Sequence, residues 1–346
     1  MSACPDTGPA ATAAAPDATV AVVVPVYNDR SGLQRCLAAL AASSFQAFSV
    51  VVVDDGSTED IQSVVDASDC RYLRIEGPGG PARARNHGVR CCEGDIIVFV
   101  DADVCVHVDT LQRLVETLES SATTAAVVGT YDDRPEAPGL FSQYRNLLHR
   151  YTHCHSAGEI PTFWCGCGAI RRELFLAYGG FDEERYKRPA IEDIELGMRM
   201  TAGGCRILLD PAIECTHLKH WPFLGTLAND VLRRGAPWVV LMLRSGSMTT
   251  TLNVDHAQRL SVALALLTVL FGAAGVWHVA FLAGAVLSAG GVLILNRDFY
   301  RYLRQCRGRA FAMGAMPLHG LYFLCCGLSV GIGVIQHVTT QRRSVL

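Results

Sequence analysis

Charged side chains are missing from a long stretch near the C-terminus. Residues 260–295 of the 346-residue chain contain no Asp, Glu, Lys or Arg, and 50% of the whole sequence is hydrophobic. A single helix over this stretch would be about 54 Å long, whereas the hydrocarbon core of a bilayer is about 30 Å thick. The glycines and Trp277 of "GAAGVWH" in its middle therefore predict a hairpin of two short membrane spans.

Basic residues flank this predicted hairpin on both sides. By the positive-inside rule they stay in the cytosol, which is consistent with two crossings. They are Arg233, Arg234, Arg244 and Arg259 before the hairpin and Arg297, Arg301, Arg304, Arg307 and Arg309 after it. A third apolar segment lies at about residues 316–338. A third crossing there would place Arg342 and Arg343 outside the cytosol, against the positive-inside rule, so both two and three spans stay open. The alternative is that these apolar runs are core helices of a soluble domain.

Signals for secretion, for a cysteine-rich metal site and for nucleic-acid binding are also lacking. The first 18 residues have neither a basic start nor an apolar stretch, so we expect a short disordered lead and no signal peptide. The 14 cysteines are scattered, and the pair Cys165 and Cys167 has no second pair, so reduced thiols are expected. The formal net charge of -3 argues against a general nucleic-acid binder.

Short apolar runs alternate with helical patterns between residues 19 and 250. "TVAVVVPVYN", "SVVVVDDGS" and "DIIVFVDADV" indicate buried strands, whereas "SGLQRCLAALAAS" and "PARARNHGVRCCEG" indicate helices, with Ser31 as the N-cap of the first. This alternation predicts an α/β domain with a mostly parallel sheet covered on both faces. We therefore expect a lead at residues 1–18, an α/β domain at 19–250 and a membrane region at 251–346.

Acidic residues directly follow two of these predicted strands. Asp54 and Asp55 end one strand, and Asp101 and Asp103 follow another. Carboxylates are costly to bury unless they are paired, hydrogen-bonded or bound to a metal. Ligands of such sheets bind beyond the C-terminal ends of the strands. Each acid alone could merely cap a loop, but the joint pattern predicts a ligand site at this edge.

Five motifs, in order and at their intervals, resemble the family 2 glycosyltransferases with the GT-A fold. They are "VVVPVYND", "VVVDDGSTED", "GGPARARNHGVRCCEGDIIVFVDADV", "CGCGAIRRELFLAYGGFDE" and "IEDIELGMRM", and together they cover roughly residues 20–220. The resemblance implies a Rossmann-like, mostly parallel sheet, followed here by two or three transmembrane helices. It also implies that a sugar moves from a nucleotide-diphosphate donor to an acceptor, with inversion at the anomeric carbon and usually with a divalent metal.

A divalent metal, Mn²⁺ or Mg²⁺, is the expected cofactor. Such a hard cation neutralises the leaving diphosphate while it keeps water and phosphate oxygens among its ligands. Asp103 is the first choice as metal ligand, with Asp101 either nearer to the ribose or supporting the metal site. His217 follows a later strand and is a candidate third ligand or phosphate contact, with a hydrogen-bonded loop histidine as the alternative.

The donor pocket is expected around the ends of the first two strands. Asp55, and with it Asp54, can accept hydrogen bonds from the base or the ribose. By resemblance, Pro25 and Tyr27 line the same pocket. Arg85, in the "ARN" stretch, pairs with a phosphate or else is a solvated arginine on a helix face.

The acceptor side is expected in the two downstream motifs. Gly166 and Gly168 resemble the segment that lines the sugar and the acceptor, where small residues let the backbone approach the ligand. An inverting transfer needs a general base across the sugar from the diphosphate. The family pattern places that base at Asp193, and Glu192 would then orient the acceptor. The alternative is that both acids stabilise the dipole of the helix that they begin.

The sequence lacks the Gln-x-x-Arg-Trp motif that processive members of the family carry. "NDVLRRGAPW" occupies its place, with no such Gln and a different Arg to Trp spacing. This departure argues against polymer synthesis. Together with the resemblance and the apolar segments, it leads us to expect a hexosyltransferase that adds one sugar, in the inner or plasma membrane, with a cytosolic catalytic domain. Its partners would be a nucleotide-diphosphate sugar and a lipid or lipid-linked acceptor, with no nucleic acid. The alternatives are a processive polysaccharide synthase and a catalytically silent scaffold on the same fold.

Overall fold

The computed structural model describes residues 19–246 and 252–344. The predicted lead at residues 1–18 lies outside this part of the chain. The predicted boundary between residues 250 and 251 falls in the gap between the two described ranges.

A nine-stranded sheet runs through residues 19–246. Its strands are β1 (Val20–Val26), β2 (Phe48–Asp54), β3 (Arg71–Arg74), β4 (Ile96–Val100), β5 (Val104–Val106), β6 (Thr124–Tyr131), β7 (Gly158–Ile160), β8 (Cys167–Arg171) and β9 (Arg206–His217). They are ordered β3-β2-β1-β4-β8-β6-β9-β5, and β7 pairs with β9. The strands β3, β2, β1 and β4 are all parallel, whereas β8 runs antiparallel to both β4 and β6.

Helices cover both faces of this sheet, which confirms the predicted α/β class. They are α1 (Arg30–Ala41), α2 (Gln62–Asp66), α3 (Pro81–Cys91), α4 (Thr110–Glu119), α5 (Leu140–Cys154), α6 (Arg172–Ala177) and α7 (Glu192–Ala202). Valines at successive positions of β1 are fully buried because one face packs on α1 and the other on α3. The prediction of Ser31 as the N-cap is wrong, since the N-cap is Asp29, two residues earlier, whose carboxylate accepts from the Gly32 backbone N–H.

The C-terminal part of the chain is helical in its described residues. Its elements are α8 (Phe223–Asn229), a π-helical turn (Asp230–Gly235), α9 (Ala236–Ser245), α10 (His256–Ala274), α11 (Ala280–Leu295) and α12 (Arg297–Ser344). The turn between α10 and α11 forms the predicted helical hairpin, while its two membrane crossings stay a prediction. The third predicted apolar segment lies inside α12, which is kinked at Gly308.

Two described helices are long and apolar enough to cross a membrane by length and composition. They are α10 and the part of α12 up to Thr340, while α11 is shorter. Only 11% of the apolar window in α10 is buried, which argues against a core helix of a soluble domain. Large apolar side chains such as Leu270 and Leu287 face outward from the hairpin.

The helical part packs directly on the sheet domain through α5 and α12. Tyr144 and Leu147 of α5 are buried against Phe299, Leu303 and Ala315 of α12. One face of α5 therefore fixes the apolar helices in position beside the sheet.

Candidate active site

A cavity of about 1220 Å³ begins at the C-terminal ends of β1, β2 and β4 and extends to α9, α10 and α12. Its wall at the sheet includes Pro25, Tyr27, Asp55, Asp101 and Asp103. Its wall at the helices includes Trp238, Val262, Leu266, Phe323 and Val330. The predicted acidic edge of the sheet and the predicted membrane region thus share one cavity.

The two adjacent acids at the end of β2 have different environments. Asp54 is fully buried, and its carboxylate accepts hydrogen bonds from Tyr72, from Arg74 and from the backbone N–H of Ser57. It does not line the cavity. The structure therefore gives Asp54 a role in holding β2 against β3 in place of the predicted donor contact.

Asp55 does line the cavity, and it also holds the loop before α3. Its carboxylate accepts from the backbone N–H groups of Gly79 and Gly80, at 3.0 and 2.7 Å. Burial raises the pKa of Asp55, and these two donors oppose the shift. Gly80 has φ +93°, and a Cβ atom there would lie 2.7 Å from the backbone of Lys187. Asp55 and Gly80 therefore set the shape of the predicted donor pocket.

Arg85 lies buried between two of the predicted site acids. Its guanidinium donates to Asp101 at 2.6 Å and to Glu192 at 3.1 Å. Glu192 is also buried, and its second oxygen accepts from the backbone N–H of Ala190. Burial raises the pKa of Glu192, the charge of Asp193 adds to this shift, and Arg85 opposes it. The solvated-arginine alternative is wrong, because Arg85 joins the end of β4 to the start of α7.

Asp103 lies where β5, β9 and the following segment meet. Its Oδ2 atom is 3.3 Å from the Lys219 ammonium and 3.6 Å from Nε2 of His217. Burial alone would raise the pKa of Asp103, but the imidazole and the ammonium lower it well below its ordinary value. Asp103 is therefore held as a carboxylate that faces cationic or metal partners.

His217 is held in one orientation by its other ring nitrogen. Asn146 uses its amide N–H to donate to Ser142, so its Oδ1 accepts from Nδ1 of His217 at 2.7 Å. The ring also stacks on Tyr131, with centroids 4.1 Å apart. A His217 ring held through Nδ1 leaves Nε2 directed toward Asp103, so a cation bound between them would meet this nitrogen in the orientation typical of metal-binding histidines.

The described residues offer two protein donors for a divalent metal at this place. No group of three or more His, Cys, Asp or Glu side chains that could hold a metal ion occurs in residues 19–246 and 252–344. Asp103 and His217 nevertheless fit a cation that takes its remaining ligands from water and phosphate oxygens. Asp101 is committed to Arg85 and lies beside this pair of donors.

Asp193 lies at the first turn of α7 and lines the same cavity. One carboxylate oxygen is 3.4 Å from the backbone nitrogen of Cys165, and the other accepts from the N–H of Ile194. Asp193 is only partly buried, unlike the enclosed Glu192. Both acids line the cavity, but Asp193 is the more exposed of the two, and Glu192 is paired with Arg85.

The two glycines of the "CGCGA" segment differ in what they face. Gly166 lines the cavity, and a Cβ atom there would lie 2.6 Å from the Trp164 ring. Gly168 lies within β8 and does not line the cavity. A Cβ atom there would meet the Trp164 carbonyl and the Phe163 ring. Gly168 therefore allows close packing inside the sheet, in place of the predicted ligand contact.

Sequence reasoning missed the face of α5 that lines the cavity. Arg145, His149 and His153 are four residues apart and all line its wall. Burial lowers the pKa of His149 well below its ordinary value and that of His153 to about 4, so both rings are neutral at physiological pH. The spacing was visible in "YRNLLHRYTHC", where polar side chains recur on one helical face.

Comparison with known proteins agrees with this geometry. Residues 21–179 match the family model described as Glycosyl transferase family 2. Glycosyltransferase GlyG of Streptococcus pneumoniae serotype 4 is 31% identical over 178 residues, which cover 45% of this chain and 58% of GlyG. The pre-mycofactocin glycosyltransferase of Mycobacterium tuberculosis is 28% identical over 258 residues, which cover 69% of this chain and 48% of that protein. The chain thus spans about half the length of these relatives.

A solved structure shares the fold. The mannosyltransferase PcManGT of Pyrobaculum calidifontis, solved with GDP-Man and Mn²⁺, superimposes with a TM-score of 0.55 at 18% identity. The match covers 93% of this chain and 87% of PcManGT. Together with the acids at the ends of β2 and β4, these likenesses confirm the GT-A fold. Residues 21–179 therefore resemble glycosyl transferase family 2 in sequence, and the chain shares the fold of a solved glycosyltransferase.

Proposed function

We propose that the protein is an inverting, metal-dependent glycosyltransferase that adds one sugar to a lipid or lipid-linked acceptor at the cytosolic face of a membrane. The observation that carries this proposal is the cavity that joins the acidic edge of the sheet to the apolar walls of α9, α10 and α12. A donor that is a sugar nucleotide suits the first end. An acceptor with a hydrophobic tail suits the second.

The donor end resembles a site for a nucleotide diphosphate. Pro25, Tyr27 and Asp55 line the part of the cavity beyond β1 and β2, where nucleotides bind in such sheets. PcManGT, which shares this fold, was solved with GDP-Man and Mn²⁺. A nucleotide-diphosphate sugar is therefore the donor class that we propose for this chain.

Asp103 and His217 would hold the divalent metal of this reaction. When bound, such a cation supplies charge stabilisation for the leaving diphosphate. Asn146 fixes the His217 ring, and Arg85 keeps Asp101 from adding an unpaired charge beside Asp103. These contacts would orient the two donors before substrate arrives.

Asp193 would act as the general base. In an inverting transfer the acceptor hydroxyl loses its proton to a carboxylate as its oxygen bonds to the anomeric carbon and the bond to the diphosphate breaks. Asp193 suits this role because it lines the cavity, is partly exposed and has no cationic partner among the described residues. Glu192 is enclosed with Arg85, so we propose that it positions the start of α7.

Donor binding with Mn²⁺ tests this proposal. In calorimetry on the full-length protein in detergent, we expect one sugar nucleotide to bind only with the metal. Asp103→Asn should weaken that binding by at least about tenfold, because metal sites lose about 10–100-fold in affinity even when a supporting partner is removed. Asp109→Asn is the matched control, since Asp109 is an exposed acid paired with Arg113 outside the cavity.

Two results would count against the proposal. Equal metal-dependent binding by wild type and Asp103→Asn would remove Asp103 from the metal site. Failure of every common sugar nucleotide to bind wild type would instead favour the silent scaffold.

A further inference from the structure

The middle of the cavity is lined by a cluster of cations around one indole ring. The Trp221 ring has the Arg145 guanidinium 5.6 Å, the Lys219 ammonium 5.4 Å and the Arg234 guanidinium 5.9 Å from its centroid. We call these four residues the Trp221 cluster. Contact with an aromatic face stabilises a cation, but it does not cancel the repulsion between three neighbouring cations.

Few carboxylates balance these charges. Arg145 pairs with Asp230 at 3.0 Å, and Lys219 pairs with Asp103. Arg234 has no carboxylate within 4.0 Å in the described part of the chain, and the cavity wall also includes Arg233. The buried Nε atom of Arg145 has no hydrogen-bond partner among the described residues. This part of the wall thus has an excess of positive charge and an unused buried donor, which are features of an anion site.

Contacts fix the order of the walls along the cavity. Lys219 touches both Asp103 and Trp221, so the Trp221 cluster begins at the proposed metal site. Arg145 touches both Trp221 and Tyr322 of α12, so the cluster ends at the apolar helices. Beyond Tyr322 the wall is mostly apolar, with side chains such as Val262 and Leu266 of α10. The order is therefore acidic, then cationic, then apolar.

We infer that the Trp221 cluster binds the phosphate of a lipid acceptor whose hydrocarbon tail lies against α9, α10 and α12. This inference rests on the proposed function, because it names the class of acceptor for the same cavity. A phosphate suits the cluster because arginine offers paired N–H donors to its oxygens. The hydroxyl that receives the sugar lies on the side of the phosphate away from the tail, since Asp193 is at the sheet end of the cavity.

The test compares hexadecyl phosphate, hexadecanol and inorganic phosphate as ligands of the full-length protein in a neutral detergent. Hydrogen bonds to charged groups contribute about 1.5–3 kcal/mol, so hexadecyl phosphate should bind at least about tenfold more tightly than hexadecanol. Inorganic phosphate should bind more weakly than hexadecyl phosphate, because it lacks the tail.

Two variants and one control connect this preference to the cluster. Arg234→Gln changes an exposed side chain, and the double variant Arg145→Gln with Asp230→Asn removes both members of an ion pair. Each should lose about tenfold in affinity for hexadecyl phosphate and little for hexadecanol. Arg304→Gln is the control, since Arg304 is an exposed arginine of α12 outside the cavity, and it should keep the preference.

Several outcomes would overturn the inference. They are equal binding of the phosphate and the alcohol, an unchanged preference in both cluster variants, an equal loss in Arg304→Gln, and inorganic phosphate binding as tightly as hexadecyl phosphate. Sugar-nucleotide binding with Mn²⁺ in the same samples separates this inference from the proposed function. Normal donor binding without a phosphate preference refutes the inference alone, whereas a phosphate preference without donor binding refutes the proposed function.

Discussion

At the scale of the residue, two adjacent aspartates at the end of one strand have different tasks. Asp54 is enclosed with three donors, while Asp55 reaches the cavity. Sequence gives both the same appearance, because both follow the apolar run of β2. Tyr72 and Arg74 of β3 donate to Asp54, which leaves Asp55 as the acid that faces the cavity. This choice depends on a contact between two strands, which the sequence of β2 alone does not reveal.

Asp54→Asn should lower stability and leave donor binding unchanged. The amide cannot match the charge-assisted hydrogen bonds to Arg74 and Tyr72, so we expect a loss of about 1–3 kcal/mol in the free energy of unfolding. Denaturant titration of the protein in detergent measures this loss, and calorimetry with the sugar nucleotide measures donor affinity. A donor Kd that rises tenfold while stability is unchanged would return Asp54 to the donor site.

At the scale of the element, a polar contact joins three strand ends behind the cavity. His107, after β5, has its Nε2 atom 3.2 Å from Oδ2 of Asp132, which follows β6. Thr216 of β9 donates to the same carboxylate. The hydrogen bond with Asp132 raises the pKa of His107 above its ordinary value of 6.5, against the effect of burial.

This contact predicts a pH dependence of stability. A raised pKa in the folded state means that the stabilisation is fully present below pH 6.5 and is lost as the pH rises through the folded pKa. His107→Gln should therefore lower the thermal midpoint more at pH 6 than at pH 8.5. In free energy of unfolding, the loss at pH 6 should exceed the loss at pH 8.5 by no more than about 1 kcal/mol, because the imidazole is partly exposed. An equal effect at both pH values, or a larger one at pH 8.5, would contradict the assignment.

The sequence predicted most elements near the N-terminus but not the antiparallel pairings, of which those of β8 are an example. The valine-rich runs of β1, β2 and β4 have the pattern of strands buried on both faces, so their parallel pairing followed from alternation with helices. β8 is short and rich in small residues, and its pairing with β4 and β6 involves partners far away in the sequence. Periodicity within one segment does not reveal such a pairing.

At the scale of the whole molecule, the sheet domain and the apolar helices line one cavity. The sequence predicted the acids at the sheet edge and the hairpin separately. It could not predict that α5 would bring Arg145, His149 and His153 to the wall between them, because that depends on the packing of α5 against α12. The proposed acceptor class therefore follows from the assembly of the elements and not from any one motif.

The measurement that tests the account most directly is transfer of a radiolabelled sugar from nucleotide donors to a membrane lipid extract by the purified full-length protein. We predict label in the organic phase with Mn²⁺ for wild type, and a loss of about 10²–10⁴-fold for Asp193→Asn, with donor binding kept. The amide preserves the shape of the side chain but cannot take the proton. Label found only in water-soluble products, or near-normal transfer by Asp193→Asn, would contradict the account.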